Sequence, residues 1–418
     1  MTLFRDPQPG SALAPFKYSV FRAIWTANLF SNLGSLIQSV AAAWLMTELT
    51  SSHQLVALVQ ASATIPIMLL GVFAGAIADN FDRRRVMLTA QTGMLLVSTL
   101  LAAMSYEGLI GPASLLALTF AVGAGTALNS PAWQASVRLQ VGRKDLPQAI
   151  TLNSVSFNLA RSLGPALGGV LISLWSISAA FAINAISYVG MIVVLARWRP
   201  EASPPTRQPM LAAIATGIDF CVHSAPLRKV LIRGFAIGIG MAGYQSLLPS
   251  AARDMLHGSE IEYGILLGAF GISSVATAMR VGQLRRRFGS ENIVTAGTLA
   301  FIAALSIIAE SHSLGLAIVS AVFGGLGWIT ALTSLNVAMQ LRSPEAILGR
   351  CMSIYQAVTF GGMALGAYLW GWVADMTDLP VAMHLASGWL VCTLALRRFV
   401  PMPTREEGIA SQEPVNVR

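Results

Sequence analysis

The chain alternates long apolar runs with short polar turns, and that alternation leaves few folds open to it. Apolar segments run over about 20–47, 54–79, 84–105, 112–139, 146–173, 177–197, 227–250, 260–283, 288–309, 314–340, 347–373 and 378–399. Each reaches the roughly 20 residues that a helix needs to cross a bilayer. In hydrocarbon, backbone amides must be satisfied within the protein, so these segments predict twelve spanning helices. The balance of residues agrees. Of 418 residues, 55% are hydrophobic and 11% charged, whereas a soluble chain carries about 25% charge. An ordinary globular enzyme is excluded on that ground. Cys221, Cys351 and Cys392 are far apart, and the five histidines are scattered. Neither a disulfide framework nor a metal site is expected, and no cofactor. No GxxxxGK[ST] stretch is present, so the chain carries no ATP-binding loop of that kind. The N-terminal stretch lacks the order of a cleaved signal peptide.

Charge sets the expected orientation. Take the N-terminus as cytoplasmic, with Arg5, Lys17 and Arg22. Arg83, Arg84 and Arg85 follow the second segment, and Arg138, Arg143 and Lys144 follow the fourth. Arg197, Arg199, Arg207, Arg228, Lys229 and Arg233 surround the central polar stretch. Arg280, Arg285, Arg286 and Arg287 follow the eighth segment, and Arg342 and Arg350 the tenth. Arg397, Arg398, Arg405 and Arg418 lie in the tail. Of the 27 Lys and Arg, only Arg253 then falls on the other face and only Arg161 inside a helix. So strong a bias predicts that both termini are cytoplasmic. It also accounts for the net charge of +8 without a nucleic-acid partner.

Arg161 therefore stands alone as a charge deep in a spanning segment. Such a residue is costly in lipid and is a functional candidate for that reason. Three readings stay open: contact with an anionic or oxygen-rich substrate, with Asn158 one turn away; pairing with a mobile carboxylate; or a structural arginine bonded to backbone carbonyls.

The halves of the chain resemble each other. GAIADNFDRRRVML (75–88) lies against GQLRRRFGSENIVT (282–295), and GPALGG (164–169) against GMALGA (362–367). These matches fall at equivalent segments, the second with the eighth and the fifth with the eleventh. The expected fold is an all-α integral membrane protein, with twelve helices in two pseudo-symmetric six-helix bundles. The expected domains are a first bundle at 1–198, a cytoplasmic linker at 199–226, a second bundle at 227–400 and a cytoplasmic tail at 401–418. Within the linker, Met210 to Val222 reads either as an interfacial helix or as the helical end of a solvated linker.

GAIADNFDRRR resembles the loop signature of the major facilitator superfamily, with Gly75, Asp79, Arg83, Arg84 and Arg85 in the matching places. Asp82 replaces the usual second glycine. FRAIWTANLFSNLG (21–34), PIMLLGVFAGAIADNFDRRR (66–85) and NSVSFNLARSLGPALGG (153–169) resemble the branch of enterobactin exporters and related drug effluxers. The resemblance implies that the second and eleventh helices meet. Asp79 would then cap the eleventh helix as a conformational lock, or the stretch is a topology signal alone. Gly164, Pro165, Gly168 and Gly169 look like the fifth-helix motif of exporters, serving either tight packing or an antiporter hinge. By the same likeness, substrate candidates on the cavity-lining helices are Asn28, Asn32, Asn129, Trp133, Tyr244, Gln245, Asn336, Tyr355 and Gln356, each equally placed for a helix–helix hydrogen bond.

The resemblance implies a bacterial inner-membrane exporter of amphiphilic small molecules (drug, macrolide or siderophore), working by alternating access as a monomer, with protons as coupling ion. No mid-membrane acid matches the usual proton carriers, and Asp254 is the nearest substitute. An importer or facilitator is the rival on the same fold. A membrane enzyme or scaffold is the rival from another class, with Asp375, Asp378 and His384 the nearest approach to a catalytic cluster.

Overall fold

The computed structural model describes residues 13–199, 210–344 and 347–402, with backbone only at 79 and 210–213. The Asp79 side chain, linker residues 200–209 and tail residues 403–418 lie outside the described residues. The helices are α1 (Ser19–Leu49), α2 (His53–Asn80), α3 (Arg83–Tyr106), α4 (Pro112–Ser136), α5 (Leu146–Leu174), α6 (Ile177–Arg197), α7 (Met210–His223), α8 (Ala225–Ser250), α9 (Glu260–Phe288), α10 (Ser290–Ala309), α11 (Leu314–Arg342), α12 (Leu348–Met376) and α13 (Leu379–Phe399). Twelve are long and apolar enough to span a membrane; α7 is the short extra one.

Short polar side chains start several of these helices by accepting a free amide of the first turn. Ser52 does so for α2, Asp82 for α3, Ser176 for α6, Ser259 for α9 and Asp378 for α13. Asp82 thus has a definite use. Its carboxylate accepts from the Arg85 amide at 2.9 Å and sets the start of α3.

Two boundaries differ from expectation. The apolar pattern ends the eighth segment near 283, but α9 continues through Arg285, Arg286 and Arg287 to Phe288. Cations are favourable in a last helical turn, and Gly289 at φ 81° ends it. The pattern starts the seventh segment at 227 and α8 begins at Ala225, so Arg228, Lys229 and Arg233, counted with the polar stretch for their charge, lie within the helix. Arg233 is 1% exposed and paired with Glu291 of α10 at 2.6 Å. Arg161 is therefore not the one charge inside a span.

Each half packs by the same pairing. In the first, α1 meets α5 and α6, α4 meets α2 and α3, and α3 meets α6. In the second, α8 meets α12 and α13, α11 meets α9 and α10, and α10 meets α13. Every pair has its counterpart, which is the structural form of the sequence repeat. Buried polar groups help hold the first half. The Gln38 amide oxygen accepts from Ser98 of α3 and Asn184 of α6, both at 2.8 Å. Asn184 also reaches Tyr188, which meets Ser35.

The halves join through two symmetry-related pairs, α2 with α12 and α5 with α9, and through α2 with α8. At the start of α1, Asp145 bonds Tyr18 at 2.9 Å and Lys17 at 2.7 Å. That bond holds the Lys17 ammonium above its ordinary pKa.

Candidate transport site

The first candidate stretch, Gly75 to Arg85, lies at the arginine-rich end of α2. Gly75 faces α12, where a Cβ would sit 3.5 Å from the Ser353 hydroxyl, an ordinary contact that an alanine would also fit. The arginines turn back onto their own half. Arg84 donates to the carbonyls of Leu195 and Ala196, both at 2.7 Å, and so caps the end of α6. Arg83 reaches the Ala135 carbonyl of α4 at 3.4 Å. Cations there meet the negative ends of two helix dipoles.

The fifth-helix glycines face two ways. A Cβ on Gly164 would lie 2.8 Å from Leu36 Cβ, and one on Gly168 3.2 Å from Val40 Cβ, both on α1. Gly169 faces the other half, where a Cβ would lie 2.5 Å from the Glu260 carbonyl of α9. Gly264 and Gly271 complete that crossing, close to the carbonyls of Pro165 and Arg161. Backbone therefore meets backbone from the end of the membrane inward to Arg161.

Arg161 sits at this crossing, near the middle of α5. Its guanidinium lies 5.1 Å from the ring centroid of Trp328, on α11 of the other half. Trp328 meets Phe270 edge-on at 6.1 Å, Phe270 stacks on Tyr244 at 6.1 Å, and Tyr244 meets Phe301 at 5.7 Å. A cation from one half thus faces an aromatic chain from the other. Trp328 and Phe270 are absent from the sequence candidates. One signal in the sequence points to Trp328: it is a lone aromatic in the small-residue run GGLGWIT.

The other candidates are placed in several ways. Tyr244 is 1% exposed and receives the Ser320 hydroxyl at 3.3 Å, so its ring belongs to the packed interior of the second half. Tyr355 is likewise buried, its hydroxyl 3.4 Å from the Leu332 carbonyl. Trp133 packs near the arginine-rich end against the cluster of Ile24, Ala78 and Met87. Asn129 is 3.5 Å from the Gln91 amide of α3. Asn158 bonds the Ser154 carbonyl of its own helix at 2.8 Å, and Asn336 accepts from Gln340 at 2.6 Å. Asn28 is buried, while Asn32, Gln245 and Gln356 are half-buried. Among the described residues no group of His, Cys, Asp and Glu gathers as a metal site requires.

The arginine-poor end holds a contact that no sequence motif announces. Asp375, at the end of α12, accepts from the Ser52 hydroxyl at 2.5 Å and the His53 amide at 2.6 Å. A carboxylate from the second half thus occupies the positive end of α2 in the first. Gly371 lets the helices close here: a Cβ on it would lie 2.8 Å from both Gln54 Cα and Ala57 Cβ. Arg253 adds a bond to the Thr50 carbonyl at 3.2 Å, and Trp44 of α1 stacks on Tyr263 of α9. Arg253 also holds Asp254 through two bonds of 2.5 and 3.0 Å, which commits that acid to a local pair. His384 bonds Glu310 at 2.7 Å rather than Asp375, so Asp375, Asp378 and His384 do not gather as a catalytic cluster. Asp375→Ala is expected to weaken the closed end by about 1 kcal/mol, the worth of a helix cap. Labelling of a cysteine placed at Ser51 measures this as a roughly fivefold faster reaction; an unchanged rate would remove Asp375 from the closure.

Two matching six-helix halves, two helix crossings between them and a mid-membrane cation at one crossing define a secondary transporter of the major facilitator type. The chain belongs to the transmembrane secretion effector family, whose sequence profile matches residues 10–417. It is 26% identical over 401 residues to the enterobactin exporter of Shigella boydii, covering 92% of this chain and 94% of that one. It is 25% identical over 373 residues to the staphyloferrin A transporter of Staphylococcus aureus, covering 88% and 93%. Among solved structures, a nucleoside transporter superposes with TM-score 0.75 at 14% identity, over 91% of this chain and 99% of that one. A bacterial homologue of the lysosomal transporter Spinster does so with TM-score 0.68 at 13% identity, over 95% and 97%. These last two likenesses concern the fold alone.

Proposed function

We propose that the chain is a proton-coupled exporter in a bacterial inner membrane, working by alternating access on a siderophore or a similar amphiphilic small molecule. The observation that carries this reading is the near full-length relation to an enterobactin exporter and a staphyloferrin A transporter. The geometry supports it, because the two halves meet along glycine-lined crossings that permit one to tilt against the other. In this reading the units 1–198 and 227–400 move as bodies joined by 199–226, and the protein acts as a monomer. The arginine bias puts both termini and the linker in the cytoplasm. The end closed by Asp375 is then the outer one.

Asp79, on the opposite end of α2, acts as the inner counterpart of Asp375 and caps the start of α12 when that end closes. Its equivalent in the second half by the repeat is Arg286, a cation that cannot cap a helix N-terminus. Asp79→Asn is therefore expected to lower transport more than tenfold and Arg286→Gln less than threefold, magnitudes on the scale of a charged cap. Equal losses would remove the asymmetry. The deciding experiment for the function uses inverted membrane vesicles with and without an imposed pH gradient, and enterobactin and staphyloferrin A as probes. Gradient-dependent uptake into inverted vesicles supports export. Uptake into right-side-out vesicles instead would make the protein an importer.

A further inference from the structure

The Arg161 guanidinium has a neighbour but no counter-ion. Among the described residues no carboxylate pairs with it, and no carbonyl or hydroxyl accepts from it. The carbonyl-bonded structural arginine is therefore not what the described residues form. Asn158, one turn away on α5, is neutral. Arg161 is half-buried, so its side chain remains within reach of a ligand. A cation in this layer is costly until an anion compensates it. The one aromatic face against it, Trp328, continues into Phe270 and Tyr244.

We infer that the Arg161 guanidinium and the Trp328 indole beside it together form a binding site for an organic anion bearing a flat aromatic ring. The inference rests on the transporter reading and narrows its substrate from amphiphiles in general to anions. A carboxylate or similar oxyanion takes the guanidinium in a two-point pair, which is stronger than a cation–π contact alone. The ring packs beside the guanidinium against the rest of the indole, where offset or edge-on contact is favourable. One contact comes from α5 and the other from α11, so a ligand with both groups bridges the halves. A neutral amphiphile leaves the cation uncompensated. A cationic one is repelled by it. Gly271 supports the arrangement from α9: a Cβ there would lie 2.7 Å from the Arg161 carbonyl, so the glycine sets how near the halves come at this height.

The test is equilibrium dialysis of the full chain in lipid nanodiscs against three probes of one shape. These are 1-naphthoate, 1-naphthamide and 1-naphthylmethylammonium. Saturable binding of naphthoate is expected, with the amide and the ammonium at least tenfold weaker. Arg161→Gln is expected to abolish the preference for the anion, and Arg161→Lys to keep it at several-fold lower affinity, because a lysine supplies charge without the planar fork. Trp328→Leu, which leaves the charge in place, is expected to weaken naphthoate several-fold while keeping the order of the three probes. Equal binding of the three, no binding of naphthoate, or a preference that survives Arg161→Gln overturns the inference. Dialysis needs neither a gradient nor a direction. Loss of vesicle transport with naphthoate binding intact would count against export alone, and transport without anion preference would count against this site alone.

Discussion

Arg233→Ala will destabilise the folded protein by about 3 kcal/mol, the lower part of the range for breaking a buried ion pair. Arg233 is 1% exposed and reaches both oxygens of Glu291, at 2.6 and 2.8 Å. Glu291 also accepts the Met402 amide at 2.6 Å, which ties the chain beyond α13 to the start of α10. Removing the guanidinium leaves a carboxylate near two helix ends with one amide to hold it. Its side chain keeps 22% exposure, and water reaching it puts the cost at the low end. Thermal unfolding of the purified protein in detergent measures the effect as a lowered midpoint. Arg233→Ala with Glu291→Gln should recover part of the loss, because no charge is then stranded. A midpoint unchanged in the single variant would mean that the pair contributes nothing net.

Gly169→Val should reduce transport by at least tenfold, with the protein still inserted. The first added carbon would lie 2.5 Å from the Glu260 carbonyl and 3.1 Å from Gly264 Cα. Both are backbone atoms on α9 and cannot rotate away, so α5 and α9 must part, and over-packing of this kind costs about 1–3 kcal/mol. In the proposed alternating-access cycle the strain falls on the state in which this end is closed, not on the packing inside either half. A tenfold loss corresponds to roughly 1.4 kcal/mol. Gly190→Ala, with nothing within 4 Å of the new carbon, is the matched control. Transport by Gly169→Val at the wild-type rate would show that the crossing serves transport without need of the small residue.

The number and order of the spans are legible because bilayer thickness makes each apolar run commit to a helix of known length. Boundaries fail where charge is taken as a sign of solvent. Arg285, Arg286 and Arg287 look like a turn, but they complete α9, since cations suit a helix C-terminus. Arg233 is counted with the charges around the central polar stretch because its partner, Glu291, is 58 residues away and no local pattern announces the pair. At the candidate site, Arg161 is visible as an isolated charge. Trp328 is marked only as the lone aromatic in GGLGWIT, and its pairing with Arg161 is not legible, because which neighbour a ring's face meets is a tertiary fact. The polar residues show the same limit. Asn158 and Asn336 bond within their own helices, while Tyr244 and Tyr355 turn into the interior of the second half.

The crossing of α5 and α9 has a mechanical consequence. Its surfaces at Gly169, Gly264 and Gly271 are bare backbone. Interlocked side chains would have to disengage one rotamer at a time, each with its own barrier, before the halves could shift. Bare backbone has no teeth to disengage. The two helices can roll on each other through a shallow, smooth energy profile, as a shaft turns in a plain bearing. If the halves tilt as proposed, the resistance to that motion resides at the rim where Asp375 grips α2, separate from the surface that carries the load.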